Sequence, residues 1–211
     1  MITSPISKLN KETFQLGLRF LSRRDPDLKR ITQQLGPPPM WTRKAGFATL
    51  IHLILEQQVS LASARAAMNR LCATCIPLTP IRFLELDDAT LRTIGFSRQK
   101  AAYGRYLAQA IIDGQLNLRT LHRMEDAAVR AELIKLKGIG RWTADTYLLM
   151  ALRRPDAFPS GDLALQVAVQ KIKRLKSRPT PDQLDVIGLA WQPWRAIATR
   201  ICWHYYLSGK M

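Results

Sequence analysis

A pair of glycines between two helical patterns is the segment with the clearest capacity for chemistry. Gly138 and Gly140 flank one apolar residue, so the pattern predicts that one helix ends, the chain turns and a second helix begins. Glycine permits a tight turn with positive φ and lets another backbone approach closely. The N–H groups at the start of the second helix then form an anion site, which the helix dipole reinforces. Lys135, Lys137 and Arg141 add positive charge, and the alternative interpretation is an ordinary helix corner with a glycine cap.

Asp162 is the carboxylate whose position is best defined. It follows Ser160 and Gly161 and stands where a helical pattern begins. An aspartate there accepts hydrogen bonds from the first free N–H groups of the helix, which stabilises the fold by about 1 kcal/mol. These residues therefore predict a helix cap, and a cap can also be a reactive group.

The charge of the chain indicates its partner. The 211 residues include 32 Lys and Arg against 16 Asp and Glu, a net charge of +16. Such a surface favours a polyanionic partner, most often nucleic acid, with an anionic membrane or a ribosomal or coat role as alternatives. The chain has no run of about 18 apolar residues, and residues 1–21 lack the apolar core of a signal peptide. We therefore expect neither a membrane span nor a signal peptide.

The three cysteines do not form a disulfide framework. Cys72 and Cys75 form a C-x-x-C pair, half of a zinc site, but Cys202 is the one further cysteine. The three histidines show no ligand spacing among themselves. Because free cysteine is usually a small buried hydrophobe, we expect buried, reduced thiols and a reducing compartment.

The whole chain has the periodicity of helices. Apolar residues recur three or four positions apart, and no strict alternation predicts a strand, so the expected fold class is all-α. Capping residues, glycines and prolines divide the chain. We predict helices at 11–22, 26–35, 46–58, 60–72, two short ones from 79 and 87, then 97–113, 125–135, 139–152, 162–176, 181–190 and 193–207.

The segment Leu136–Asp145 (L-K-G-I-G-R-W-T-A-D), followed by A-F-P-S-G-D, resembles the helix-hairpin-helix (HhH-GPD) DNA glycosylase superfamily. Within it the chain is most similar to 3-methyladenine DNA glycosylase II and its compact all-helical relatives. I-L-E-Q-Q-V-S, I-G-F-S-R-Q-K-A and W-Q-P-W-R fit the same family. The resemblance implies two helical lobes with a DNA-binding cleft between them. The central lobe would be residues 39–153, with the hairpin, and the second lobe 1–38 plus 154–211.

The resemblance also implies how DNA is bound. The target base must leave the duplex, and a side chain must fill the gap. The family places this wedge at the Q-Q-V-S turn, where Gln57 and Gln58 are the candidates and Gln58 is preferred; the alternative is two glutamines that cap a helix end. The further DNA contacts would be Ser60, Lys137, Gly138, Gly140, Arg141 and Thr143. The carbonyls of Ile134, Leu136 and Ile139 are candidates to hold Na⁺ or K⁺.

By the same resemblance, Asp162 is the catalytic residue. Cleavage of an N-glycosidic bond gives an oxocarbenium-like sugar, whose positive charge a carboxylate stabilises, directly or through an aligned water. Asp145 and Glu56 are the next candidates if Asp162 is only a cap. Bifunctional members have a lysine nucleophile in the hairpin helix, where this chain has Trp142, and an indole cannot form a Schiff base. The cysteines of an Fe–S cluster are also missing, so we expect no required cofactor and no lyase activity.

Aromatic residues of alkylpurine members imply a base pocket. Trp142 and Trp194 match those residues, and a π face attracts a cationic methylated purine more than a neutral one. Trp41 and Tyr147 are weaker candidates, and core packing is favoured for Tyr147. Thr146 replaces an aromatic of the relatives, which implies a wider or more polar pocket.

The resemblance thus implies a monofunctional DNA glycosylase that flips out and excises alkylated purines in base-excision repair. The alternatives are a non-catalytic helix-hairpin-helix DNA-binding protein and a glycosylase for another lesion, such as uracil or 8-oxoguanine. The expected partner is double-stranded DNA with alkylated bases, bound by a monomer and not at a membrane. The expected location is the nucleoid-associated cytoplasm of a bacterium or the nucleus of a eukaryote.

Overall fold

The computed structural model describes residues 8–209. Over this range the chain forms α-helices and two short 3₁₀ helices, with no β-strand, which confirms the all-α prediction. The α-helices are α1 Lys11–Arg24, α2 Pro26–Leu35, α3 Phe47–Glu56, α4 Leu61–Thr74, α5 Pro80–Leu84, α6 Asp88–Ile94, α7 Arg98–Ile112, α8 Asp126–Ile134, α9 Arg141–Met150, α10 Leu163–Ile172, α11 Pro181–Gly188 and α12 Arg195–Leu207. The 3₁₀ helices are Leu121–Arg123 and Leu189–Trp191.

The helices begin where the sequence supplies caps. The Asp25 side chain accepts the first N–H groups of α2, and Ser60, Thr79, Asp87 and Ser97 cap α4 to α7 in the same way. Helix ends were predicted less well than starts. α10 ends at Ile172 rather than 176, because Arg174 has a φ of 55° that a right-handed helix cannot include. The 3₁₀ segments were not predicted because three residues are too few to show a period.

The chain divides into two compact units, with borders after Thr42 and after Tyr147. The expected borders were after 38 and after 153, so the first unit includes more of the chain than expected. Backbone hydrogen bonds explain the difference, since Leu9 N–H donates to Arg153 O at 2.7 Å. The fully buried Arg200 guanidinium also donates to the carbonyls of Met40 and Leu149, at 2.9 and 3.0 Å. These hydrogen bonds hold the segments at both borders, around Met40 and around Arg153, in the first unit.

A buried carboxylate joins three elements of the first unit. Asp25 accepts hydrogen bonds from Lys173 Nζ and from Trp191 Nε1, both at 2.7 Å. Burial opposes the charged form of Asp25 most strongly, but these donors outweigh it and hold the pKa of Asp25 below its ordinary value. For Lys173 burial likewise opposes the charge, and the two carboxylates Asp25 and Asp27 raise its pKa. The start of α2 is thereby tied to the end of α10 and to the second 3₁₀ helix.

The core of the second unit is built around α3, which is apolar over most of its surface. Its buried side chains include Leu50, Ile51, Leu53 and Ile54, all without exposed area. α7 packs close to α5, since a Cβ on Gly104 would overlap the Phe83 ring. A helix buried on most sides positions the turn that follows it, which contains Gln57 and Gln58.

Two further expectations concern membrane-spanning helices and the burial of the three cysteines. No helix within residues 8–209 is long and apolar enough to cross a membrane. Cys75 and Cys202 are buried, as predicted, and burial raises the pKa of both thiols. Cys72 was expected to be buried too, but it lies exposed on α4. The expectation about a signal peptide concerned residues 1–21, of which residues 1–7 lie outside the described range.

Candidate functional site

The glycine hairpin lies between α8 and α9, as predicted. Gly138 has a φ of 91°, and a Cβ there would overlap the ring of Tyr103 on α7. Glycine is thus required twice at this position, by the backbone and by the close approach of the ring. Gly140 differs from the prediction, because its φ is not positive and a Cβ on it would meet open space. Its carbonyl accepts the N–H of Ala144 at 3.1 Å, which places Gly140 at the cap of α9.

Gln57 supports the hairpin from within the second unit. Its Nε2 donates to the Gly138 carbonyl at 2.9 Å and to Thr143 Oγ1 at 3.1 Å. Thr143 is buried, with 1% of its surface exposed. The structure thus uses both side chains internally, and DNA contact by Gln57 and Thr143 stays a prediction. The Gly138 carbonyl and the Thr143 hydroxyl thereby have a hydrogen-bond partner within the protein, as buried polar groups require.

Gln58 is the member of the pair that faces solvent. α3 ends at Glu56, and Gln58 has a φ of 55°, an unusual value for a residue with a side chain. Ser60 follows as the N-cap of α4, and its hydroxyl accepts the N–H of Ser63 at 3.1 Å. Lys100 closes the end of α3 by donating Nζ to the Leu55 carbonyl at 2.7 Å, a contact that the sequence did not predict.

Two predicted basic residues lie exposed at the hairpin. Lys137 Nζ lies 5.2 Å from the centre of the Tyr106 ring, a cation–π distance. Arg141 begins α9 and places its Nε 3.5 Å from Asp145 Oδ2. The fully buried Asp145 also binds Arg130 at 2.6 Å. Positive charge at the start of a helix, beside exposed N–H groups, is suited to a phosphate.

Asp145 and Glu56, the next candidates after Asp162, both form ion pairs with arginines. Asp145 is held by the two arginines of the hairpin region, and Glu56 forms a two-pronged ion pair with Arg43 at 2.6 and 3.0 Å. His52 lies 3.6 Å from the same Glu56, and burial together with Arg43 lowers the pKa of this imidazole. We therefore assign neither Asp145 nor Glu56 a catalytic role.

The hairpin carbonyls remain candidates for a monovalent cation. Leu136 O accepts the N–H of Ile139 at 3.0 Å, which leaves a second lone pair on this oxygen. Ile134 is the last residue of α8, where carbonyls lack helical partners. Among residues 8–209, no group of three or more His, Cys, Asp or Glu side chains could hold a metal ion.

Asp162 caps α10, and a tryptophan shares its cap oxygen. Oδ1 accepts the N–H of Leu165 at 2.8 Å and the indole N–H of Trp203 at 2.9 Å. The preceding turn is fixed as well, since Gln166 Nε2 donates to the Ser160 carbonyl at 2.9 Å. The carboxylate is half-buried and oriented by two donors from different helices. It is thus a cap, as the residues predicted, in a geometry that also suits a charged catalytic group.

The aromatic residues of the predicted base pocket differ in how far they are buried. Trp142 and Trp41 are half-buried, and Trp41 lies edge-on to His204. Trp194, in contrast, is buried against Gly17, where a Cβ would overlap the indole. Core packing is sufficient to explain this tryptophan, and its assignment to the base pocket stays a prediction.

Thr146 and Tyr147 are also core residues. Both are buried within the second unit, and the Tyr147 hydroxyl accepts the N–H of Gly46 at 3.0 Å. Burial raises the pKa of Tyr147 to about 12. The half-buried Trp203, next to Asp162, is the aromatic that the sequence did not indicate. Its one sequence signal is its position nine residues after Trp194, on the same helical pattern.

Known proteins are similar to this chain in sequence and in fold. The family model described as "HhH-GPD superfamily base excision DNA repair protein" matches residues 51–194. YfjP of Bacillus subtilis is 29% identical over 83% of this chain, which spans 64% of the length of YfjP. Alkylbase DNA glycosidase-like protein mag2 of Schizosaccharomyces pombe is 26% identical, over 88% of this chain and 90% of mag2. The solved structure of Schizosaccharomyces pombe 3-methyladenine DNA glycosylase (Mag1) in complex with abasic DNA superposes with a TM-score of 0.79 at 26% identity, covering 89% of this chain and 94% of that chain.

Proposed function

This chain belongs to the HhH-GPD superfamily of base excision DNA repair proteins, and from that premise we propose that it excises alkylated purines from DNA by hydrolysis of the N-glycosidic bond. The observation that carries the proposal is the Asp162 carboxylate, oriented on one oxygen by Leu165 N–H and by Trp203 Nε1–H. The similar proteins named as 3-methyladenine glycosylases support the substrate class.

Asp162 would act on the sugar. As the base departs, positive charge develops at the anomeric carbon, and a fixed carboxylate stabilises it or aligns the attacking water. A pre-oriented carboxylate is effective because it does not have to reorganise during the reaction. An alkylated purine is a good leaving group, so one carboxylate is sufficient.

The reaction would end at the abasic site. Trp142 stands where lyase-competent members have a lysine, and an indole nitrogen is not a nucleophile for Schiff-base formation. Hydrolysis at a fixed carboxylate requires no cofactor, and Na⁺ or K⁺ on the hairpin carbonyls would serve DNA binding only.

Base recognition would rely on aromatic faces. Half-buried indoles occur in each unit, Trp142 in the second and Trp41 and Trp203 in the first, and a cationic methylated purine binds a π face more tightly than a neutral base. The exposed Gln58 would enter the duplex, and Lys137, Arg141 and the N–H groups of α9 would bind backbone phosphate. We further propose that a monomer does this, in the compartment that contains the chromosome.

The test is base release from methylated duplex DNA by the wild-type chain and by Asp162→Asn. Asparagine caps a helix as well as aspartate, so the variant should fold and should bind an abasic analogue with unchanged affinity. Base release should fall by roughly a hundredfold or more, the scale of a lost electrostatic interaction at a transition state. A folded variant that binds DNA and releases bases at the wild-type rate would refute the catalytic role of Asp162. A wild-type chain that binds duplex DNA but releases no methylated base would refute the proposed activity and favour a non-catalytic DNA-binding protein.

A further inference from the structure

The first unit has a basic surface that the proposed reaction does not use. It consists of Arg19 and Arg23 on α1 and Lys29 on α2, and is called here the α1–α2 basic surface. Two surface depressions share its two arginines. One, of about 290 Å³, is lined by Leu16, Arg19, Phe20, Arg23 and Arg24. The other, of about 530 Å³, is lined by Gln15, Leu18, Arg19, Ser22, Arg23, Lys29, Thr32 and Pro37. Neither lining contains a carboxylate.

The two carboxylates at the start of α2 are engaged elsewhere. Asp25 binds Lys173, and Asp27 binds both Lys173, at 3.0 Å, and Arg30, at 3.6 Å. In the described part of the chain, no ion pair involves the three cations of the α1–α2 basic surface. Arg24, at the edge, lies over the Phe20 ring, 5.8 Å from its centre.

This arrangement has an electrostatic cost in the free protein. Arg19 and Arg23 are one turn apart on the same helix, and like charges at that spacing destabilise a helix. The hydroxyl of Ser22 and the amide of Gln15 add neutral donors between the charges. A surface of unpaired cations and neutral donors over two helices is matched by a ligand with evenly repeated negative charge.

We infer that the α1–α2 basic surface binds the DNA phosphate backbone, as a contact additional to the hairpin of the second unit. The inference rests on the proposed function for its ligand, since a DNA-repair enzyme meets this polyanion on every encounter. Arginine binds phosphate through two parallel hydrogen bonds, and a nucleic-acid backbone supplies phosphates at a regular spacing. The role is affinity without regard to the lesion, because phosphate contacts carry no sequence information.

The experiment uses the full chain and a triple variant, Arg19→Gln, Arg23→Gln and Lys29→Gln. Its control is Arg92→Gln, Arg119→Gln and Arg123→Gln, which removes as many exposed positive charges from the second unit. Affinity for a short duplex with an abasic analogue is measured over a range of salt concentrations. The slope of log affinity against log salt should become shallower by about 0.9 for each phosphate that the triple variant no longer neutralises. The control should retain a slope near that of the wild type.

Equal slopes for the triple variant and the control would overturn the inference. It would also be overturned if the triple variant bound DNA normally but bound polyglutamate more weakly than the wild type does, which would indicate an acidic protein partner instead. Arg19, Arg23 and Lys29 are exposed, and unchanged melting temperatures would show that the variants fold. If the triple variant does not fold, Arg23→Gln alone takes its place. The slopes do not depend on catalysis. A wild-type chain that fails to release methylated bases would therefore refute the proposed function. The inference about the α1–α2 basic surface would still be decided by the salt dependence of DNA affinity.

Discussion

Trp203 donates its indole N–H to Asp162 Oδ1 at 2.9 Å, and so fixes a carboxylate that lies 41 residues earlier in the chain. The same oxygen receives the N–H of Leu165 at 2.8 Å. One donor belongs to α12 and the other to α10, so the orientation of Asp162 depends on how these two helices pack. Helix packing within the first unit thereby controls the geometry of the proposed reaction.

Replacement of Trp203 by Phe should slow base release while DNA binding persists. An aromatic ring remains, but the charged carboxylate loses one hydrogen bond, which is worth about 1.5–3 kcal/mol, or roughly a tenfold to hundredfold change in rate. Single-turnover release from methylated DNA measures the effect, and affinity for an abasic analogue should change little. In an Asp162→Asn background the same replacement should have almost no further effect. Full activity of the single variant would show that the indole does not position Asp162.

The two hairpin glycines should respond differently to alanine. Gly138→Ala must accept a positive φ and displace the Tyr103 ring, whereas Gly140→Ala meets open space. A left-handed backbone alone costs a residue with a Cβ about 1–2 kcal/mol. Gly138→Ala should therefore lower both the melting temperature and the affinity for all duplexes, and Gly140→Ala should lower either much less. Equal losses from the two variants would contradict this prediction.

Local signals in the sequence were enough for the hairpin and for the Asp162 cap, because a glycine turn and an N-cap are decided by a few adjacent residues. The preference for Gln58 over Gln57 rests on the family resemblance, since identical neighbours differ only in the backbone angle that turns one inward. Nor did it indicate Trp203 or Tyr103. Each meets its partner through the packing of helices distant in the chain, and hydrophobic period indicates which face is buried but not what it contacts.

The two glutamines should have separate phenotypes. Gln57→Ala removes the donor to Gly138 O and Thr143 Oγ1 and leaves these acceptors unsatisfied, so it should destabilise the second unit by about 1–3 kcal/mol. Gln58→Ala removes an exposed side chain and should leave the melting temperature unchanged. If Gln58 is the wedge, its variant should flip the target base less well, which 2-aminopurine fluorescence beside the lesion would report. A normal fluorescence change with Gln58→Ala would exclude it as the wedge.

Asp25 should control part of the acid stability of the protein. Its pKa is lowered in the folded state, because Lys173 and Trp191 donate to the carboxylate and outweigh the effect of burial. A group with a lowered folded pKa contributes stability that is fully present above its unfolded pKa, here the ordinary 3.8, and lost as the pH falls through the folded value. Asp25→Asn should therefore lower the free energy of unfolding at neutral pH by about 2–4 kcal/mol, since Lys173 loses a buried partner. It should also make the free energy of unfolding decline less steeply with acid below pH 3.8.

Urea unfolding over a pH series measures both effects, with the exposed Asp182→Asn as the matched control. An Asp25→Asn variant whose unfolding free energy declines with acid as steeply as that of the wild type would show that other carboxylates determine the acid limit.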